Sequence, residues 1–351
     1  MLKKILGFAF IAGVCVAVVL CVPASRAQAP ADGPYKILKT AKVGGDGGWD
    51  YVNVDVDNRR LYVARRSMPP VINVYNLDTL EKVGELANVG AHGAVIDPKT
   101  HHGIATSKPV TMFDTATLMP IKVIDTGGNP DGAYFDPSSE RAYILSHQSP
   151  HITAINTKDG SIVKQFDIGG EPEQMAGDGK HLYVDVEDQA NVAVIDAKTF
   201  DVTAHYDVKG KAATCAGLAM DAKHRILFAS CRMPPTMLIM NADSGNIITT
   251  LPLSGASDGT VFNPKTMEAF SSQADGTLTI VKEKSPTDFV VEQNLKTMFG
   301  ARTSALDTKT GHVIVISAEF GPAPEPAPGA KGRGGRGPIL PGTFSILMVG
   351  K

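Results

Sequence analysis

The sequence predicts an all-β protein: a seven-bladed β-propeller of four-stranded blades, closed by its N-terminal strand. Three observations predict it. First, residues 129–170 hold four short strand patterns, Ala133–Phe135, Arg141–Ser146, His151–Asn156 and Ile162–Ile168, separated by turn residues and ending on a Gly-Gly pair. Such a unit cannot bury both faces alone, so copies must stack. Second, the unit recurs. Turn residues 55, 97, 136, 178, 221, 263 and 307 are spaced 42, 39, 42, 43, 42 and 44 apart. In six of the seven an apolar or aromatic residue follows seven positions later, as in Asp136 to Tyr143; Asp178 precedes Tyr183 by five. Third, the ends of the chain complement each other. Tyr35–Gly45 reads as a lone strand, and the last unit lacks its fourth strand, so the first should complete the last blade and leave no open edge.

Residues 1–27 stand apart from the repeat. Lys3 and Lys4 precede an apolar run, Ile5 to Val22, and Ser25-Arg26-Ala27 is a small-x-small cleavage site. This pattern predicts a secretory signal peptide cut after Ala27, with an uncleaved anchor as the alternative. Cleavage leaves residues 28–351 as one domain with no membrane span, in the periplasm or secreted. It also removes three cations and no acid, taking the net charge from −2 to −5, which argues against nucleic acid as a partner. A monomer is expected.

Cys215 and Cys231 are centred on the turn at residue 223, opposite each other across a hairpin. In an exported chain a disulfide is the simplest reading, with a reactive or metal-binding pair as the alternative. Residues 321–342, GPAPEPAPGAKGRGGRGPILPG, have too little to bury and predict a flexible loop between the second and third strands of the last unit. Lys331, Arg333 and Arg336 could make it a cationic flap.

Leu61-Tyr62-Val63-Ala64, Arg141-Ala142-Tyr143-Ile144 and His181-Leu182-Tyr183-Val184, with Gly-Gly-x-Pro starts at Gly127 and Gly169, resemble the YVTN repeat of the YncE-like β-propellers of bacterial periplasms and surfaces. The resemblance spans residues 35–351 apart from the insertion. It departs where the family's closing Asn is Ala64, Leu145 or Asp185. It implies shape more than activity. Related propellers include lactonases, and some YncE-like proteins are associated with DNA.

Counting five residues back from each turn residue gives Asp50, His92, Asp131, Glu173, Ala216, Asp258 and Arg302. A seven-fold fold should gather these around one axis, on the face shared with the loops after the second strands. Those loops add Arg65, Arg66, Lys108, His147 and Arg232. The face is expected to bind an unknown small ligand or protein partner. Asp131, Glu173 and Asp258, with Glu187-Asp188 in the adjoining loop of the fourth unit, could hold a divalent cation, calcium by their oxygen chemistry. With His92 and His147 the carboxylates could instead support lactone or ester hydrolysis. Asp-Gly and His-Gly pairs also form turns, the structural alternative. No H-E-x-x-H, Walker or C-x-x-C-H motif is present, and no residue is singled out as catalytic. Tyr62, Tyr143, Tyr183 and Phe228 should be packing between blades. The Met-Pro-Pro words at 68–70 and 233–235 read as rigid loops.

Overall fold

The computed structural model describes residues 30–323 and 336–351. The expected signal peptide, and Lys331 and Arg333 of the insertion, lie outside the described residues. Seven four-stranded antiparallel sheets make seven blades. Blades 1 to 6 run 48–87, 91–124, 130–166, 172–207, 213–252 and 257–296, each in simple chain order. Blade 7 takes Ser304–Leu306, Val313–Ser317 and Ser345–Gly350, then Lys36–Lys42 as its outer strand. Ring closure therefore rests on the ladder from Lys36↔Gly350 to Lys42↔Ser345. The expected insertion does fall between the second and third strands of blade 7. Its base is a short ladder: Phe320 bridges Ile339, and Gly321 N–H donates to Pro338 O at 2.8 Å.

Packing lies between blades. Tyr62, Tyr143, Tyr183 and Phe228 are fully buried and each joins a cluster shared by adjacent blades, as expected. Removing one such ring should cost roughly 3–5 kcal/mol. No helix of the described residues is long and apolar enough to cross a membrane.

One face is held by a repeated device. Each turn residue accepts a bond from the amide two or three positions on: Asp55 from Asn58, Asp97 from Lys99, Asp136 from Ser138, Asp178 from Lys180, Asp221 from Lys223, Asn263 from Lys265, Asp307 from Lys309, all at 2.8–3.0 Å. A short carboxylate or amide side chain is the group that reaches these amides, which is why Asp recurs there. The same face ties blade to blade. Arg59 of blade 1 donates to Asp307 of blade 7 at 3.0 and 2.6 Å, across the closure. Burial opposes ionisation of Asp307, but Arg59 and Thr310 pull its carboxyl down to about 2.

Cys215 and Cys231 stand opposite each other in the first hairpin of blade 5 and are disulfide-bonded, as expected. The 16-residue separation corresponds to about 3 kcal/mol on the loop-entropy account. Urea unfolding of a Cys215→Ser/Cys231→Ser variant should show a loss of that order, and reductant should produce the same loss in the wild type. A double variant as stable as the oxidised protein would show that the bond does not carry this hairpin.

Candidate functional site

Six inner strands carry a β-bulge near their entry: between Trp49 and Val52, Ala91 and Ala94, Pro130 and Ala133, Pro172 and Met175, Cys215 and Gly217, and Ser257 and Gly259. The bulges bracket Asp50, His92, Asp131, Glu173, Ala216 and Asp258. A bulge re-aims a side chain out of the pleat, and here the same device is applied blade after blade. The glycines beside them serve close approach rather than turning, because Gly93, Gly132, Gly217 and Gly259 all lack positive φ. A Cβ on Gly217 would lie 2.5 Å from Thr260 Oγ1, and one on Gly259 would lie 3.1 Å from Ser304 N. At these four positions a larger residue would crowd the adjacent inner strand, whereas at the same register Tyr51 and Gln174 reach into the channel instead.

The side chains form a chain of alternating charge around the mouth. Arg66 bonds Asp50. His92 Nδ1 lies 2.7 Å from Asp50 Oδ2 and 2.6 Å from Asp131 Oδ1. Arg232 lies 2.8 Å from Asp258 and 3.8 Å from Glu173, so it stands between them. Arg302 lies 2.7 Å from the other oxygen of Asp258. Ala216 is buried and contributes no polar group.

The structure does not bring every expected residue to the mouth. Arg65 is only 2% exposed; it donates to the carbonyls of Gly44, Asp46, Gly47 and Gly48 and lies over the Phe344 ring at 3.7 Å. Its neighbour Arg66 points to the mouth because alternate residues of a strand face opposite ways. Lys108 donates to Gly128 O at 2.7 Å. Asp258 is held by two arginines, whereas Asp131 and Glu173 share their neighbourhood with His147. Arg336 of the insertion lies over Phe299 and Phe320, with the Arg302 charge nearby.

One candidate position, Tyr51, went unread in the sequence. Tyr51, from blade 1, crosses the channel to within 3.3 Å of Asp131 Oδ2 and of Glu173 Oε2. Burial and these carboxylates hold its phenol well above the usual range, so it stays a donor. Glu187 bonds Arg232 at 2.6 Å. Glu187, expected in the acidic sector, shares a register with its neighbours: four residues after the buried core residue of the second strand come Arg66, Lys108, His147, Glu187 and Arg232 in blades 1 to 5, and alanine in blades 6 and 7. Beneath the mouth lies a channel cavity of about 430 Å³, lined among others by Tyr51, Gln174 and Met175. There Gln174 Oε1 accepts from the amides of Leu218 and Thr260, joining blades 4, 5 and 6.

The acidic sector is under electrostatic load. Burial, and Glu187 beside it, hold the Glu173 carboxyl well above the usual carboxylate range, so it is protonated at neutral pH. Asp185 is fully buried with neither oxygen hydrogen-bonded, and burial and Glu187 push it up as well. His147 Nε2 is buried without a hydrogen-bond partner, 3.5 Å from Asp131 Oδ2 and 4.0 Å from Glu173 Oε1. Those separations are long for hydrogen bonds and close to the roughly 3–3.5 Å between ligand atoms on a shared ion with bonds of about 2.1 Å.

Gly255-Ala256-Ser257-Asp258-Gly259 spells the G-x-S-x-G pattern, but Ser257 lies at the start of a blade's inner strand, not on a strand-to-helix elbow. It is fully buried and its Oγ meets Gly259 O and Ser271 Oγ, with no histidine partner among the described residues. It is not an activated nucleophile.

No family model matches the chain, and no curated protein matches it. Among solved structures 1656 chains match, a breadth that identifies a widely used fold and no single activity. One is a chain of the "Crystal Structure of Mitotic Checkpoint Complex", with a TM-score of 0.67 and 14% identity over 89% of this chain and 95% of that one. At that identity the likeness shows the fold alone.

The Asp131 and Asp50 carboxylates that both face His92 Nδ1 outweigh burial and raise its pKa to about 9, against 6.5 unperturbed. The stability this supplies is complete below about pH 6.5 and fades as pH rises through 9. Chemical denaturation of His92→Gln against wild type should therefore show a larger deficit at about pH 6 than at about pH 10. An equal deficit at both would mean that His92 is not a cation in the ring.

Proposed function

We propose that this chain is an exported propeller of the YncE-like, YVTN-repeat kind, with residues 1–27 as signal peptide and 28–351 as one domain. It works as a monomer, in the periplasm or secreted, and binds a ligand or partner at the channel mouth. The observation that carries this reading is the bulged register. One backbone device turns six positions toward the mouth, and five of them hold ionisable side chains of both signs above a cavity. Alternating charge suits a small zwitterion or a peptide segment, which can answer carboxylates and guanidinium groups together. A net charge of −5 after cleavage, and carboxylates at the mouth, disfavour nucleic acid. The chain of similar fold comes from a complex, which accords with propellers as partner-binding scaffolds.

Thermal-shift titration with amino acids, short peptides, sugar acids and lactones tests the placement, with pull-down from an exported-protein extract for macromolecular partners. A compound or partner bound by wild type should be lost by Asp131→Ala/Asp258→Ala, and by the milder Arg302→Gln. Undiminished binding by both variants would put the site elsewhere.

One observation favours a second reading, metal-assisted hydrolysis of a lactone or ester. The unpartnered His147 Nε2 faces Asp131 and Glu173, a nitrogen and two oxygens that suit a zinc-like ion better than calcium. There the ion would activate water, with Tyr51 placed to donate to a developing oxyanion. Elemental analysis should then find one more equivalent of metal in wild type than in His147→Ala, and chelator should lower the melting temperature of wild type by more than that of the variant. Equal metal content and an equal chelator effect in the two proteins would leave the mouth as a purely organic binding surface.

A further inference from the structure

The turn aspartates offer a comparison internal to the chain. In each, one oxygen binds the turn amides; the other needs a donor of its own. Asn58 Nδ2 supplies it to Asp55 at 2.9 Å, Thr157 Oγ1 to Asp97 at 2.6 Å, Ser139 Oγ to Asp136 at 2.5 Å, Arg225 to Asp178, and Arg59 to Asp307 at 2.6 Å. Asp221 is the exception. Its Oδ2 is buried and has no hydrogen-bond partner among the described residues. What faces it is another acid, Glu283 of blade 6, whose Oε2 is likewise buried and unpartnered. The two side chains are 2% and 1% exposed.

Between them stands His224. Its Nδ1 lies 2.7 Å from Glu283 Oε1, and 2.8 Å from Asp221 Oδ2 without the alignment of a hydrogen bond. One imidazole nitrogen can give a proton to one oxygen well, not to two. Two buried carboxylates about 6 Å apart or less repel by at least roughly 3 kcal/mol at an effective dielectric of 20, so the cluster is short of positive charge. At the equivalent corners Arg59 and Arg225 fill this place with a guanidinium.

We infer that Asp221, His224 and Glu283 form a divalent-metal site that staples blade 5 to blade 6, on the face opposite the mouth. The three ligand atoms lie within 4.8 Å of one another. A nitrogen with two carboxylate oxygens suits zinc or a similar first-row ion. Bonds of about 2.0–2.1 Å place tetrahedral ligands about 3.3 Å apart, so the cluster opens by about half an ångström to admit the ion. The His224 side chain is 27% exposed, which leaves an entry path and room for a water as fourth ligand. The site's task is structural: it supplies the cation that the repeat provides elsewhere from arginine.

The test uses the full chain bearing His147→Ala, so that any ion at the mouth does not count. Chelator-stripped protein is titrated with zinc chloride by calorimetry, and its melting temperature is followed with and without zinc. One equivalent should bind and raise the melting temperature. Glu283→Gln or His224→Gln should weaken binding by at least about 100-fold, beyond the roughly 10–100-fold that loss of a residue supporting a ligand costs. Metal-free Glu283→Gln should melt no lower than its metal-free parent, since it relieves a repulsion; this separates lost binding from lost folding. No zinc binding by the parent would overturn the inference. So would binding that survives both substitutions, or binding of calcium in preference to zinc, which would remove the nitrogen from the ligand set.

Discussion

The pairing of Lys36–Lys42 with Ser345–Gly350 is the constraint on which the molecule depends. It puts the two ends of the chain in one sheet and makes the seven blades a closed ring. A blade has two apolar faces and no means of covering them alone. Closure gives each blade two neighbours, so every interblade cluster is flanked on both sides and no sheet face is left open. Closure also fixes how near the inner strands come to the axis. The glycines beside four of the bulges accord with that distance, because a Cβ there would crowd the neighbouring strand.

Convergence on an axis has an electrostatic consequence. Residues a few positions into seven strands are far apart in sequence and adjacent in space. Asp50 and His92 are 42 positions apart and in contact; Tyr51 and Glu173 are 122 apart and within 3.3 Å. If these positions carried one sign of charge, the ring would oppose its own closure. The chain alternates signs instead, and where it fails to, between Glu173, Asp185 and Glu187, protons are held on two of the acids. A group that cannot be neutralised by its neighbours is free to be neutralised by something else. That is why the acidic sector, rather than the arginine-paired Asp258, is the chemically open part of the mouth.

Much of this was legible in the sequence, and for physical reasons. The period near 40 follows from a blade being one folding unit. The turn aspartates recur because an Asx side chain is needed at a tight turn, and Cys215 and Cys231 are symmetric about such a turn. Asp50, His92, Asp131, Glu173 and Asp258 could be placed near one axis by counting, since register survives in a repeat. What counting could not give was direction. Arg65 and Arg66 are neighbours in a strand, and pleating sends the first under Phe344 and the second to Asp50. Nor could it give reach: Tyr51 was unread because its partners belong to blades 3 and 4. Asp258 was grouped with the other carboxylates because arginine pairing across blades is invisible to a one-dimensional register.

Seven near-copies in one chain act as their own control. A residue that the fold requires should occur at most of the seven positions, and the first-turn Asp or Asn does. At the bulges the register shift repeats but the side chains do not: Asp, His, Asp, Glu, Ala and Asp occupy the bulged position. Folding therefore fixes the bulge and leaves its side chain unspecified, and the identities found there need a reason outside folding. The same comparison works in reverse on the other face. There six of the seven side chains are Asp, and the partner varies from amide to hydroxyl to guanidinium, supplying a donor to five of the six. Asp221 keeps the residue and loses the donor. A required residue without its required partner implies that the partner is not part of the polypeptide, and a metal ion is the simplest species that meets two carboxylates and an imidazole at that corner.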